Sequence, residues 1–327
     1  MSKMLCSILA ACVLGSVLLG SCSQSANSAA TTVTTTTYSL NEEFTSLRPT
    51  PQYITVNAGR DTVVYGSDST LLHFYANSFL NTSGGVISSG TISLALNEIS
   101  KPGDYILNRM TTMTTALNSI LSSGGAIILT ATQNGQTVNA NKYGVGFKQS
   151  GSTTAPMQLY YGDLNNSDTV TSWTQGNNTT PGTTTAATVQ GVYYTANTTS
   201  YFYFDSCVAF NRVSCDFVFN NGAPLTNVTV NVPNTDFNST NTEIYLIIPA
   251  IRLIVPIEGY DATTNNYSIS PAGIEVPTGL NYEVVVITNY SSWYFYEASG
   301  LTASGMGITA VPTIATWTGL INTIQAL

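Results

Sequence analysis

The sequence predicts an all-β protein: two β-sandwich domains, residues 51–172 and 191–327, behind an N-terminal leader and a flexible tether. Three observations predict it. Short runs alternate apolar and polar residues, as in Tyr53-Ile54-Thr55-Val56 and Asn227-Val228-Thr229-Val230, which is the period of a strand with one buried face. Glycine and asparagine pairs such as Gly84-Gly85 and Asn134-Gly135 punctuate these runs and supply the positive φ of tight hairpins. Charged residues make up 8% of the 327 residues, against about 25% in ordinary globular chains; Thr, Ser, Asn and Gly take their place, while 43% hydrophobic content supports a sizeable core.

Residues 1–21 have the parts of an export signal: Lys3, then a run to Leu19 that is nearly all apolar or small, then Gly20-Ser21. The run is short for a membrane span. Leu19-Gly20-Ser21-Cys22 resembles the lipobox of bacterial lipoproteins. That resemblance implies cleavage before Cys22, acylation of its thiol with palmitate-type chains, and stable membrane anchoring, since several chains hold where one is marginal. With Ser23 and not Asp next, it also implies the outer membrane, on its periplasmic or cell-surface side. Residues 22–50, rich in Ser, Ala and Thr, cannot build a core and read as a disordered tether.

The first sandwich begins at Tyr53. A strand over 91–98 places Ile92, Leu94 and Leu96 on one face, and another, 126–132, is entered through Gly124-Gly125 and left by Asn134-Gly135. Residues 157–161 form a third. Between them, residues 104–121 carry Ile106, Met110, Met113, Leu117 and Ile120 at helical spacing, but paired threonines oppose a helix; a loop with a short helix is expected. Residues 173–190 are low complexity and predict a linker. In the second half, 199–204, 210–219, 227–232, 243–251 and 281–287 read as strands, 293–296 continues the sheet, and 316–325 is the one helix the pattern suggests.

Leu72 to Phe79, the glycine turn, the 91–98 strand ending in Glu98, and Ser122-Ser-Gly-Gly-Ala-Ile-Ile-Leu-Thr-Ala-Thr-Gln-Asn-Gly together resemble a module of uncharacterised outer-membrane lipoproteins, with a ZU5-like N-terminal sandwich. The likeness covers about residues 55–145. It implies a surface location and no established activity.

The chemistry is sparse. His73, the sole histidine, sits in an apolar aromatic strand, and no G-x-S-x-G elbow offers it a nucleophile. One histidine and two available cysteines do not make a zinc site, and the Asp163–Asp168 loop lacks the acids of a calcium loop; no metal or cofactor is expected. Net charge of −8 with nine scattered basic residues excludes nucleic acid as a partner. Once Cys6 and Cys12 leave with the signal and Cys22 carries lipid, Cys207 and Cys215 remain, either one disulfide or two buried thiols. Asp61-Thr62-Val63, Asp68-Ser69-Thr70 and Asp168-Thr169-Val170 resemble a bacterial O-glycosylation signal, which implies Thr62, Ser69 and Thr169 as candidates; the aromatic run at Trp293, Tyr294 and Tyr296 is a candidate ligand platform. The expected role is a non-enzymatic, membrane-anchored structural or adhesive protein. A glycan- or peptide-binding module and a fimbrial-type subunit are the alternatives.

Overall fold

The computed structural model describes residues 40–149, 156–178, 187–188, 191–196 and 199–327. They form four stacked β layers. In chain order the principal strands are β1 (Gln52–Asn57), β2 (Thr62–Tyr65), β3 (Leu71–Phe74), β4 (Thr91–Ile99), β5 (Ser119–Gln133), β6 (Gln136–Ala140), β7 (Tyr143–Gln149), β8 (Gln158–Leu164), β9 (Val170–Gln175), β10 (Val192–Ala196), β11 (Thr199–Cys207), β12 (Asn211–Val218), β13 (Val228–Asn231), β14 (Thr242–Ile248), β15 (Leu253–Pro256), β16 (Gly259–Asp261), β17 (Asn266–Ser268), β18 (Asn281–Tyr290), β19 (Ser292–Leu301), β20 (Met306–Thr309) and β21 (Thr313–Ala315). Three helices join them: α1 (Leu40–Leu47), α2 (Pro102–Leu107) and α3 (Trp317–Ala326).

The first sandwich packs an outer sheet, β10-β11-β7-β3-β2, on an inner sheet, β1-β4-β5-β12-β8-β9. Ile92, Leu94 and Leu96 of β4 face Leu72, Phe74, Val145 and Phe204 across its core, as their alternation predicts. The Asn134-Gly135 pair turns β5 into β6 with both φ positive, +51° and +79°, the requirement of a two-residue hairpin. The second sandwich packs an outer sheet, β16-β17-β13-β20, on an inner sheet, β15-β14-β18-β19-β21. Its outer sheet holds a parallel pair, β13 with β20.

The two inner sheets also bury their backs. A third core, the seam, lies between them. Ile99, Leu121, Tyr160 and Trp173 reach it from the first sandwich, and Tyr245, Ile247, Ile254, Val285 and Ile287 from the second. This explains the unbroken apolar runs Ile244–Ile248 and Val284–Ile287, whose residues are all buried: a strand covered on both faces has no polar side to alternate. Main-chain bonds cross the seam as well, from Thr112 N to Ile254 O at 2.9 Å, with Ile254 N donating to Thr112 Oγ1 at 2.8 Å.

Several expectations change as a result. The sandwiches are all-β as predicted, but all described residues fall within one compact unit, and residues 173–190 do not divide it. Strands β10, β11 and β12 follow that stretch and return to the first sandwich, where β12 sits between β5 and β8; the second sandwich starts only after Val218. The tether ends early, because α1 buries Leu40 and Phe44 in the seam. Gly124-Gly125 is not a strand entrance. Strand β5 runs through it, and the pairing with β12 slips between Ser214 and Asp216, a bulge that Gly125 accommodates at φ +117°. Cys207 and Cys215 are free, buried thiols. Of the two alternatives the sequence left, the pair of buried thiols holds and the disulfide does not: strands β11 and β12 belong to different sheets, and burial pushes both thiols well above their usual range.

The helices close the seam. Pro102 opens α2, and Asp104 Oδ2 accepts from Lys101 N at 3.1 Å. Thr316 caps α3 by accepting from Gly319 N at 3.1 Å, and Leu320 and Ile324 are buried. Gly103 of α2 lies directly against α3: a Cβ there would stand 2.0 Å from the Ile324 carbonyl oxygen. Gly103→Ala is therefore expected to drive the helices apart and cost about 1–3 kcal/mol, measured as a lower urea midpoint at unchanged slope. Among the described residues no helix is long and apolar enough to cross a membrane.

Candidate functional site

A polar cleft lies at one margin of the seam, where two adjoining cavities of about 370 and 420 Å³ share Arg109, Thr169, Tyr245, Pro256 and Glu258 in their walls. Its floor comes from strand alternation. On β14, Ile244, Leu246 and Ile248 turn into the second sandwich, so Glu243 and Tyr245 turn the opposite way, toward the first. Arg109 follows α2 with φ +50°, and its carbonyl accepts from Val170 N at 3.0 Å, which fixes its side chain beside β9.

Arg109 Nη2 pairs with Glu243 Oε1 at 2.8 Å, both side chains being less than one-fifth exposed. Tyr245 donates to the other oxygen, Glu243 Oε2, at 2.6 Å. Burial raises the Glu243 carboxyl above its ordinary range, Arg109 and the Tyr245 hydroxyl pull it back down, and Glu258 nearby raises it again. Glu258 is itself raised by the protein packed around it, with Arg109 opposing. Arg109 thus serves two carboxylates, and the cleft carries a negative surplus to which Asp163 adds. The Thr169 Oγ1, in the wall common to both cavities, is buried without a hydrogen-bond partner.

A third cavity, of about 400 Å³, contains Glu98. That carboxylate is taken up by structure: it accepts from Asp68 N and Thr70 N at 2.7 Å each and from Gln52 Nε2 at 2.8 Å. Burial alone would raise it, but these bonds outweigh burial and hold it low. Glu98 clamps the turn between β2 and β3.

Of the glycosylation and platform candidates marked in the sequence, all but one lie elsewhere. Trp293, Tyr294 and Tyr296 do not form one platform, because β19 points them to opposite faces. Trp293 packs toward the seam and against Trp317 of α3, ring centres 4.2 Å apart. Tyr294 and Tyr296 pack toward the second core, where Tyr294 meets Phe237 at 4.9 Å. Thr62 and Ser69 are half-buried on the first sandwich. Thr169 is the exception, and its burial closes its hydroxyl to glycosylation in the folded state. His73 Nδ1 lies 3.2 Å from the Tyr203 hydroxyl, which Tyr75 also approaches at 3.1 Å. In the 163–168 loop, Asn165 Oδ1 accepts from Ser167 N and Thr169 N, and Asp168 joins Arg48 at 2.9 Å to Arg212 at 2.7 Å; the loop is an Asx turn with an ion-pair tie. No group of three metal-ligating side chains occurs among the described residues. Cys22 and the leader lie outside the described residues.

Arg109, Glu243 and Glu258 carry no sequence motif. The usable signal is their setting: in a chain this poor in charge, Glu243 opens the apolar run Glu243-Ile-Tyr-Leu-Ile-Ile, and Arg109 stands inside the hydrophobic 105–113 segment. A charge so placed requires a partner. No family model matches the chain, and no curated protein matches it.

Proposed function

We propose that the protein is a lipid-anchored, extracytoplasmic envelope protein with a structural or adhesive, non-catalytic role. The observation that carries this reading is Leu19-Gly20-Ser21-Cys22 at the end of an apolar leader. The fold supports it: two sandwiches welded by a seam make a stiff body, and their surface is rich in hydroxyl and amide groups with little charge. The ZU5-like and outer-membrane lipoprotein resemblance belongs to the same reading. The sole histidine is engaged with Tyr203, which favours a non-catalytic role over a hydrolase.

A second reading, a binding module, is favoured by the polar cleft at the seam margin. Intact-mass measurement on the membrane fraction tests the anchor. Wild type is expected to start at Cys22 with added acyl mass, and Cys22→Ala to lose that mass and leave the membrane. A soluble wild-type product cleaved at another residue would refute the lipoprotein assignment.

A further inference from the structure

We propose that the seam cleft binds a neutral or amine-bearing saccharide of about two sugar units, and rejects uronates; this rests on the binding-module reading above. Shape comes first. The two adjoining cavities, about 370 and 420 Å³, each fall in the range of small-ligand sites, about 300–1,000 Å³. Five residues line both, so the two cavities lie side by side.

Charge then selects the class. Among the described residues Arg109 is the one cation lining either cavity, and it is committed to Glu243 at 2.8 Å. An anionic ligand would have to break that pair and approach Glu258 and Asp163, at a cost several times that of an exposed pair. An apolar ligand fares no better, because it would strip water from Glu258 and from the hydroxyls of Thr171, Ser239 and Thr240 without replacing its hydrogen bonds. A polyol replaces them. Carboxylates accept from sugar hydroxyls or an ammonium, and threonine and serine hydroxyls both donate and accept.

Tyr245 stands in the wall that both cavities share, and its hydroxyl is held by Glu243 at 2.6 Å, which fixes the carboxylate edge of the cleft.

The test is isothermal titration of the full-length protein in detergent with three disaccharides: the chitosan disaccharide, cellobiose and digalacturonate. The expected order is chitosan disaccharide, then cellobiose, with digalacturonate silent. Glu258→Gln is expected to weaken the chitosan disaccharide about tenfold and bring it level with cellobiose. Thr171→Val, at an exposed position in the cleft wall, is expected to weaken both several-fold at an unchanged melting temperature. Equal binding of digalacturonate would overturn the proposal. So would silence of all three sugars, or affinities that neither variant moves. N-acetyl-lysine methylamide, a cation without hydroxyls, serves as control, and binding as tight as that of the chitosan disaccharide would overturn the saccharide class. Silence of the sugars with an acylated, membrane-bound protein sinks this inference and leaves the anchor reading standing.

Discussion

Trp173→Ala is expected to destabilise the whole protein by about 3–5 kcal/mol, and the second sandwich should report the loss. Trp173 is fully buried in the seam, and its indole Nε1 donates to Thr111 O at 2.6 Å. Removing it opens a cavity between the sandwiches and orphans that carbonyl. The remaining tryptophans, Trp293 and Trp317, stack on each other at the α3 end of the second sandwich. Their fluorescence therefore follows the other half of the molecule. If the seam makes one cooperative unit, the urea midpoint read from Trp293 and Trp317 falls together with the midpoint read by circular dichroism. A second-sandwich signal that keeps its wild-type midpoint would show that the halves unfold separately, and would refute the account of the seam as a shared core.

Asp216→Asn is expected to flatten the pH dependence of stability between pH 4 and 7 and to raise the melting temperature above pH 7. Asp216 is completely buried beside the β5 bulge. Burial pushes its carboxyl up to about 7, against hydrogen bonds from Ser214, Ser123 and the Gly124 amide that pull it down. The unfolded chain ionises this group near 3.9. Between those two values the native state holds a proton that the unfolded state has released, so stability falls as pH rises from about 4 to about 7 and is level outside that window. A shift of about three pH units corresponds to on the order of 4 kcal/mol. The raised Glu243 and Glu258 carboxyls act with the same sign, so some slope survives in the variant. Melting curves at intervals from pH 4 to 8 give the comparison; an Asp216→Asn profile parallel to wild type would exclude Asp216 as the source.

How far the sequence reached can be judged from particular residues. The alternation at Ile92, Leu94 and Leu96 identified both a strand and the face it buries. The Asn134-Gly135 pair gave a turn of the right kind, and the 316–325 helix stands as α3 over Trp317–Ala326. Gly124-Gly125 misled because a glycine at positive φ serves a bulge as well as a turn, and only the pairing partner, β12, distinguishes them. The domain division failed for a related reason. A low-complexity stretch shows where the chain leaves a core, not whether it returns, and β10 to β12 do return. The seam itself was present in the runs Ile244–Ile248 and Val284–Ile287, but double-sided burial names no partner layer. The cleft was least legible, because Arg109 and Glu243 are far apart in the chain and meet only once two sandwiches are in register across the seam.

The helices at the two ends of the described chain have a kinetic consequence. Helix α1 supplies Leu40 and Phe44 to the seam, and α3 supplies Leu320 and Ile324, so the layer between the sandwiches is finished by residues made after every strand of both. Until Trp317–Ala326 emerges, α2 lacks the helix it packs against and the seam lacks Leu320 and Ile324, and the contact of Gly103 with Ile324 joins distant parts of the chain. Loop closures of that length are slow, and exposed apolar strands associate while they wait. Assembly of the seam is thus timed by α3, and a nascent chain truncated before it should be the species that a holding chaperone captures.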